Sequence, residues 1–288
     1  MLSVLKRVAP LLIVTIFIIS SNNALAQRWE IGGLLGGTNY LGDISKEPTL
    51  SKTHIGINLW GRYNISRHFS YRFGAAFGQI SGADSLQPAT ELRGLTFKSN
   101  IWELTNIIEF HFRPFGLSHP QNKKSSFYVF TGINAFYFNP KAKFDNTWVS
   151  LQPLATEGQN LEGGKGKYSR VSVSIPIGAG YKFKFSPKWI LGFEVGYRKT
   201  YTDYLDDVSG NYPDLVELRK ANGAASVALS DPSSVNAGAG EMRSAKNDMR
   251  GDPHLKDWYV FAGITLTYRI EPIYCAFPPK TRRFHNVD

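Results

Sequence analysis

The chain has 288 residues, 42% hydrophobic and 14% aromatic, and carries 33 Lys and Arg against 23 Asp and Glu, a formal charge of +10. That size suits one domain, and the charge suits anionic neighbours: lipid headgroups, an acidic protein face or nucleic acid. The single cysteine, Cys275, excludes an internal disulfide, and beyond the N-terminus no segment is apolar enough for a membrane-spanning helix.

Residues 1–26 read as an export signal. Lys6 and Arg7 supply its positive start, Val8 to Ile19 its apolar core, and Ala24-Leu25-Ala26 the small-x-small site that signal peptidase accepts. The core is shorter than the ~20 residues a spanning helix needs, and no cysteine follows it for lipid attachment. The mature chain is expected to begin at Gln27 with a charge of +8 (10 − 2). Export sets nucleic acid aside as a partner and leaves outer-leaflet glycolipids or a periplasmic protein.

The mature sequence then alternates apolar and polar residues, the period of two that marks strands. The first strand, 28–39, is glycine-rich and the weakest. The second, 53–63, sets Ile55, Ile57, Leu59 and Tyr63 against Asn58 and Arg62, and the third, 68–80, sets Phe69, Tyr71, Phe73, Ala75 and Phe77 against Ser70 and Arg72. In 101–113, Trp102, Leu104, Ile108, Phe110 and Phe112 oppose Glu103, Thr105, Glu109, His111 and Arg113. An aromatic strand over 126–138 alternates less cleanly. The clearest signal is the hairpin 171–185 and 189–198, turning at Ser186-Pro187-Lys188, with Pro176 predicting a bulge or bend because it lacks an N–H. A final strand covers 257–270. The count is eight, and even.

The connections alternate in length: 64–67, 114–125 and 186–188 are short to medium, whereas 81–100, 139–167 and 203–256 are long. Outer-membrane barrels have short periplasmic turns and long extracellular loops, and the strands approach or exceed the ~9–11 residues that cross a bilayer at a tilt. Trp102, Tyr137, Trp189, Tyr197, Trp258 and Tyr268 near strand ends suit an interfacial girdle. The expected fold is therefore all-β: an eight-stranded antiparallel transmembrane β-barrel over 27–270, with a periplasmic tail at 271–288. A soluble periplasmic β-sandwich is the other architecture these strands allow.

In such a barrel the polar face is the lumen, which would hold Arg62, Arg72, Glu103, Glu109, His111, Arg113, Glu194, Arg198 and Arg269. Eight strands enclose only enough room for side chains, and buried charges must be paired, so a plugged interior is expected ahead of a narrow ligand or proton path. Asp203, Asp206, Asp207 and Asp214 offer hard oxygen ligands suited to calcium, although their spacing is not that of an EF-hand. The other reading makes them caps and turns, with Asp214 capping a loop helix near 214–229. No cofactor site is expected, and no catalytic motif is present: Gly163-Gly164-Lys165-Gly166-Lys167 lacks the phosphate-loop spacing. None of His54, His68, His111, His119, His254 and His285 has a sequence-level partner for a lipid A-modifying Ser/His/acid set. The chain is not expected to be an enzyme.

The tail carries Pro272, Pro278 and Pro279 with Lys280, Arg282 and Arg283, and cannot pack a core alone. It is either disordered or a docking strap, and Cys275 within it is either an inert thiol or half of an intermolecular bridge.

Several runs carry a family resemblance across the mature chain: Ile31-Gly32-Gly33 with Asn39-Tyr40-Leu41-Gly42-Asp43, Leu151 to Gly158, and Asp257-Trp258-Tyr259 with Phe261-Ala262-Gly263. The most specific is Gly196-Tyr197-Arg198-Lys199-Thr200 running into Tyr204-Leu205-Asp206-Asp207-Val208-Ser209-Gly210. Together they resemble the PorG-like outer-membrane barrels of the type IX secretion system of Bacteroidota. The resemblance implies association with the periplasmic ring of the lipoprotein PorK (GldK in gliding relatives) and PorN (GldN), supporting protein export and, where present, gliding motility. It also implies a partner for the tail: Cys275, Lys280, Arg282 and Arg283 would contact the ring, Cys275 through a disulfide to a PorK-like subunit. A barrel for adhesion or envelope tethering is the main alternative, and a lipid A-modifying barrel enzyme a further one.

Overall fold

A computed structural model describes residues 28–86, 91–115, 123–233 and 244–270. The signal segment 1–26, the tail with Cys275, Lys280, Arg282 and Arg283, and His119 and His285 lie outside the described residues.

Ten strands run in chain order: β1 (Trp29–Leu41), β2 (His54–Asn64), β3 (Phe69–Ala83), β4 (Thr96–His111), β5 (Ser125–Gly132), β6 (Asn134–Phe144), β7 (Thr147–Ser150), β8 (Val171–Lys184), β9 (Trp189–Thr200) and β10 (Trp258–Arg269). Each pairs antiparallel with its neighbour, and β1 pairs with β10 from Glu30↔Arg269 to Leu41↔Trp258, so the sheet closes into a ring. Closure removes both sheet edges, the condition for putting strands into lipid. Ten segments make eight walls. β5 and β6 keep one register against β4 (Ile107↔Gly132, then Leu104↔Ala135) and are one wall interrupted at Ile133, while β7 only folds back on β6. The expected all-β, eight-stranded barrel is the fold of this chain.

Its details depart from the sequence expectation in three places. β8 has no bulge, because Pro176 stays in register with Arg198. The ladder lapses instead on the adjoining wall, where Gly132 and Ile133 face the proline that has no N–H to offer. The buried Asn134 repairs part of the gap, its Oδ1 accepting the Asn106 N–H at 3.2 Å. The predicted connections 81–100 and 139–167 are shorter than expected, since β3, β4, β6 and β7 extend into them. The single helix near 214–229 is two, α2 (Leu215–Asn222) and α3 (Ala224–Ser230), after a one-turn α1 (Leu151–Leu154). They part at Gly223, whose φ of +84° an L side chain rarely adopts.

Alternation decides what each wall shows. Ile31, Leu35, Ile55, Leu59, Trp102, Leu104, Ile108, Phe193, Ile264 and Leu266 all point outward and are exposed, as a belt around the barrel. An exposed apolar surface on every wall is far larger than a soluble monomer tolerates and is what hydrocarbon covers. Rings mark its limits. Toward the short turns Trp29 packs on Tyr63, Phe69 on Phe110, and Trp189 on Tyr268; toward the long connections Phe77 packs on Trp102. Beyond Phe77 and Trp102 the outward residues turn polar, with Gln79 donating to Asn100 at 2.7 Å. An arginine at Leu35, mid-belt, should destabilise the folded barrel by about 2–4 kcal/mol, measured by urea unfolding in phospholipid vesicles.

Candidate functional site

The lumen is built by the polar residues of the same alternation. Glu109 on β4, near the short-turn end, is its most shared acceptor. It accepts from Arg62 at 3.1 Å, Arg72 at 3.3 Å and Lys182 at 3.0 Å, and all four side chains are buried. Arg62 and Arg269 share Glu30 at 3.0 and 2.9 Å, across the seam where first and last strands meet. Arg72 forms a two-pronged pair with Glu194 at 2.6 and 3.0 Å, to which the Tyr128 hydroxyl also donates at 2.7 Å. A second group lies nearer the long connections, where Glu103 accepts from Tyr259 and from Asn134 at 2.9 Å and pairs with Arg198 at 3.6 Å. Five cations, Arg62, Arg72, Lys182, Arg198 and Arg269, thus face four carboxylates, Glu30, Glu103, Glu109 and Glu194. In a low-dielectric interior such charges persist only when paired.

Both mouths are closed. At the short-turn end Phe115 folds into the opening, 1% exposed, with the Lys184 Nζ 4.4 Å from its ring centre and donating to its carbonyl at 3.2 Å. At the other end the lumen gives way to buried rings, Phe136, Phe138, Tyr259 and Phe261, and these join the loop residues Leu205, Val208 and Leu229 in one apolar cluster. The long connections form a packed cap over the barrel. Arg93 holds Asp84 at 2.6 and 2.8 Å and the Asp43 carbonyl at 3.1 Å, and it also donates to the Arg250 carbonyl. Arg250 in turn donates to Glu157 at 3.0 Å and to the Asp207 carbonyl at 2.6 Å.

The structure brings most of the predicted lumen residues together: Arg62, Arg72, Glu103, Glu109, His111, Glu194, Arg198 and Arg269 are all buried. Arg113 is the exception. It lies past the end of β4 and is exposed, because the chain has left the wall by that point. The sequence reading missed Glu30 and left Lys182 out of the charged set. Both sit on the inward parity of their strands, but a lone charge in a glycine-rich or lysine-flanked strand gives no sign of a partner.

The four aspartates weighed for calcium are dispersed. Asp203 accepts from Ser209 at 2.7 Å, Asp206 from Tyr40 at 2.5 Å, and Asp207 from Tyr168 at 2.6 Å and from Thr156. Asp214 caps α2, accepting from the amides of Val216 at 3.0 Å and Glu217 at 3.1 Å. Among the described residues no group of three or more His, Cys, Asp or Glu side chains is placed to hold a metal ion.

Asp203, Asp206 and Asp207, with Asp257, bury acid in the cap. Burial pushes Asp206 and Asp257, which share the Tyr40 hydroxyl at 2.5 and 2.9 Å, well above the usual carboxylate range, and Asp257 is raised further by Asp206 beside it. Burial also lifts Asp203 and Asp207 to about 6. Arg93, Arg250, Lys256, Asp43 and Glu157 are the other charges facing this group. The folded cap thus holds protons that an opened cap gives up, so its stability falls as pH rises from the ordinary aspartate range through 6 and beyond. Limited proteolysis of the long connections should be faster at pH 8 than at pH 5, and Asp257→Asn, which keeps the geometry without the charge, should flatten that difference.

Solved structures with a similar barrel include the outer membrane protein OprG from Pseudomonas aeruginosa, at 11% identity and TM-score 0.39, with 86% of this chain and 98% of that one covered. Outer Membrane Protein W of E. coli follows at 14% identity and TM-score 0.36, with 84% and 98% covered. Ail, the attachment invasion locus protein of Yersinia pestis, is 12% identical at TM-score 0.39, with 84% and 97% covered. At these scores the likeness carries no weight for function, and the barrel rests on its own ring of hydrogen bonds. No curated protein sequence matches the chain. A family model described as "Domain of unknown function (DUF6089)" matches residues 9–226. The chain belongs to the DUF6089 family.

Proposed function

We propose that this chain is a non-catalytic outer-membrane barrel that anchors the periplasmic ring of a type IX-like secretion system, the role that PorG-like proteins have beside PorK/GldK and PorN/GldN. The observation that carries the anchoring role is the filled and twice-closed lumen, which leaves a protein of this kind no channel to operate. With the short turns in the periplasm, the inner rim presents Arg28, Arg67, His68, Arg113, Lys123, Lys124 and Lys188 and, among the described residues, no exposed Asp or Glu. That rim suits an acidic protein face. Lys280, Arg282 and Arg283 of the tail would add to the same charge, and Cys275 would supply a covalent link to the partner.

The test is a mild-detergent pull-down of the tagged chain with identification of what co-purifies. Ring subunits support the reading, and loss of surface export of type IX cargo in a deletion strain supports it further. Normal export with altered adhesion favours a tethering or adhesion barrel, and a changed lipid A mass spectrum favours an enzyme. A Cys275→Ser change that leaves every high-mass band intact on a non-reducing gel removes the covalent link. In planar bilayers the purified barrel should show no steady ion conductance.

A further inference from the structure

The connections between β7 and β8 and between β9 and β10 enclose an open cleft of about 360 Å³ in the cap. Two sequence runs that the anchoring role does not use meet there, the glycine-rich Gly163–Lys165 and the acidic stretch ending at Asp214. Tyr204 forms part of the wall and is the far member of a parallel stack of rings. Phe138 lies against Tyr168 at 6.2 Å and 4°, and Tyr168 against Tyr204 at 4.4 Å and 7°. Phe138 is 0% exposed inside the barrel, so the stack is founded in the rigid wall and Tyr204 is held in place. Tyr168 covers one face of the Tyr204 ring, and the ring's partly exposed remainder borders the cleft.

Around this platform stand planar polar groups: the amides of Gln159 and Asn211 and the carboxylates of Glu162 and Glu217. Two further carboxylates in the lining are already committed. Glu157 accepts from Arg250 and from the amides of Ser209 and Gly210, and Asp214 caps α2. With Glu157 neutralised by Arg250, Glu162, Asp214 and Glu217 face Lys165 and Lys246, within one charge of balance. A fixed aromatic face packs against the C–H side of a sugar ring, while amides and carboxylates bind hydroxyls as donors and acceptors. The balance of charge favours a neutral ligand over a polyanion or a polycation, and the volume falls in the range of small-ligand sites.

We propose that this cleft binds a neutral carbohydrate, stacked on Tyr204 and hydrogen-bonded through Glu162 and Glu217. The inference is independent of the ring-anchoring role, since it concerns the opposite end of the barrel. It is tested by saturation-transfer NMR on the mature chain folded in detergent micelles. The probes are glucose, galactose, mannose, N-acetylglucosamine and their disaccharides, with a lysine-rich peptide and a sulfated oligosaccharide as charged comparators. At least one neutral sugar is expected to bind, with neither charged comparator displacing it. Tyr204→Ala should weaken binding roughly tenfold or more, the loss expected of a contact aromatic, whereas Tyr204→Phe should stay within about twofold. Should Tyr204→Ala fail to fold, judged by gel mobility of unheated samples, the exposed Glu162→Ala gives the same test. Silence from every neutral sugar overturns the proposal. So does binding that survives both alanine changes, or binding of the lysine-rich peptide alone, which would assign the cleft to a cationic chain.

Discussion

Glu109→Ala should cost the folded barrel about 3–5 kcal/mol, the penalty of leaving buried charge without its partner. Glu109 is 0% exposed and is the shared acceptor of Arg62, Arg72 and Lys182. Arg62 and Arg72 keep Glu30 and Glu194 after the change, but no other salt-bridge partner is seen for Lys182 among the described residues. Five lumen cations would then face three carboxylates (4 − 1), in a space too narrow for water to screen them. Glu109→Gln, which keeps an acceptor and loses the charge, should fall between. Urea unfolding in phospholipid vesicles, followed by tryptophan fluorescence, reads both changes against Glu47→Ala in an exposed loop, which should move stability by less than about 0.5 kcal/mol. A midpoint for Glu109→Ala equal to that of Glu47→Ala would show that the Glu109 pairing is not what holds the lumen.

Gly36→Val should be more severe still, preventing closure altogether. Gly36 on β1 sits opposite Gly263 on β10, in the seam that joins the first and last strands. A Cβ at Gly36 would lie 2.0 Å from the Ala262 carbonyl oxygen and 2.4 Å from the Gly263 Cα, both backbone atoms that cannot rotate away. The strands would have to part there, and a parted seam leaves unpaired N–H and C=O groups facing hydrocarbon. Gly33→Ala is the matched control, since its new methyl meets the movable Leu59 Cδ2 at 3.0 Å and the Asn58 carbonyl oxygen no closer than 3.2 Å. The expected result is a folded, heat-shiftable band on unheated gels for Gly33→Ala and none for Gly36→Val. A folded Gly36→Val barrel would mean that the seam has slack the backbone does not show.

The walls were legible in the sequence because a strand with lipid on one side and side chains on the other must alternate, and Val171 to Phe185 does so residue by residue. The same parity placed Arg72 and Glu194 in the lumen without saying that they pair, because partners on walls distant in sequence leave no local trace. Arg113 failed for the opposite reason: the alternation runs on past the point where the chain leaves the sheet. The cap was not legible. Asp84, Arg93, Glu157 and Arg250 lie in connections without a period, and their mutual bonds span up to 157 residues of sequence. The aspartates of the Asp203–Asp214 run drew attention as metal ligands because their clustering is visible, whereas Tyr40, Thr156 and Tyr168, which bind two of them, come from other parts of the chain.

The unequal height of the walls has one more consequence. β4 is 16 residues long, yet its outward apolar stretch from Trp102 to Phe110 already has the ~9–11 residue length that crosses a bilayer. Residues 96–101, with the matching ends of β3 and β6, therefore rise roughly 15 Å further, at ~3.4 Å per residue and the usual tilt. These three of the eight walls work as a parapet, lifting the connections they carry clear of the headgroups. An antibody or ligand arriving from outside would meet the connections on this flank first.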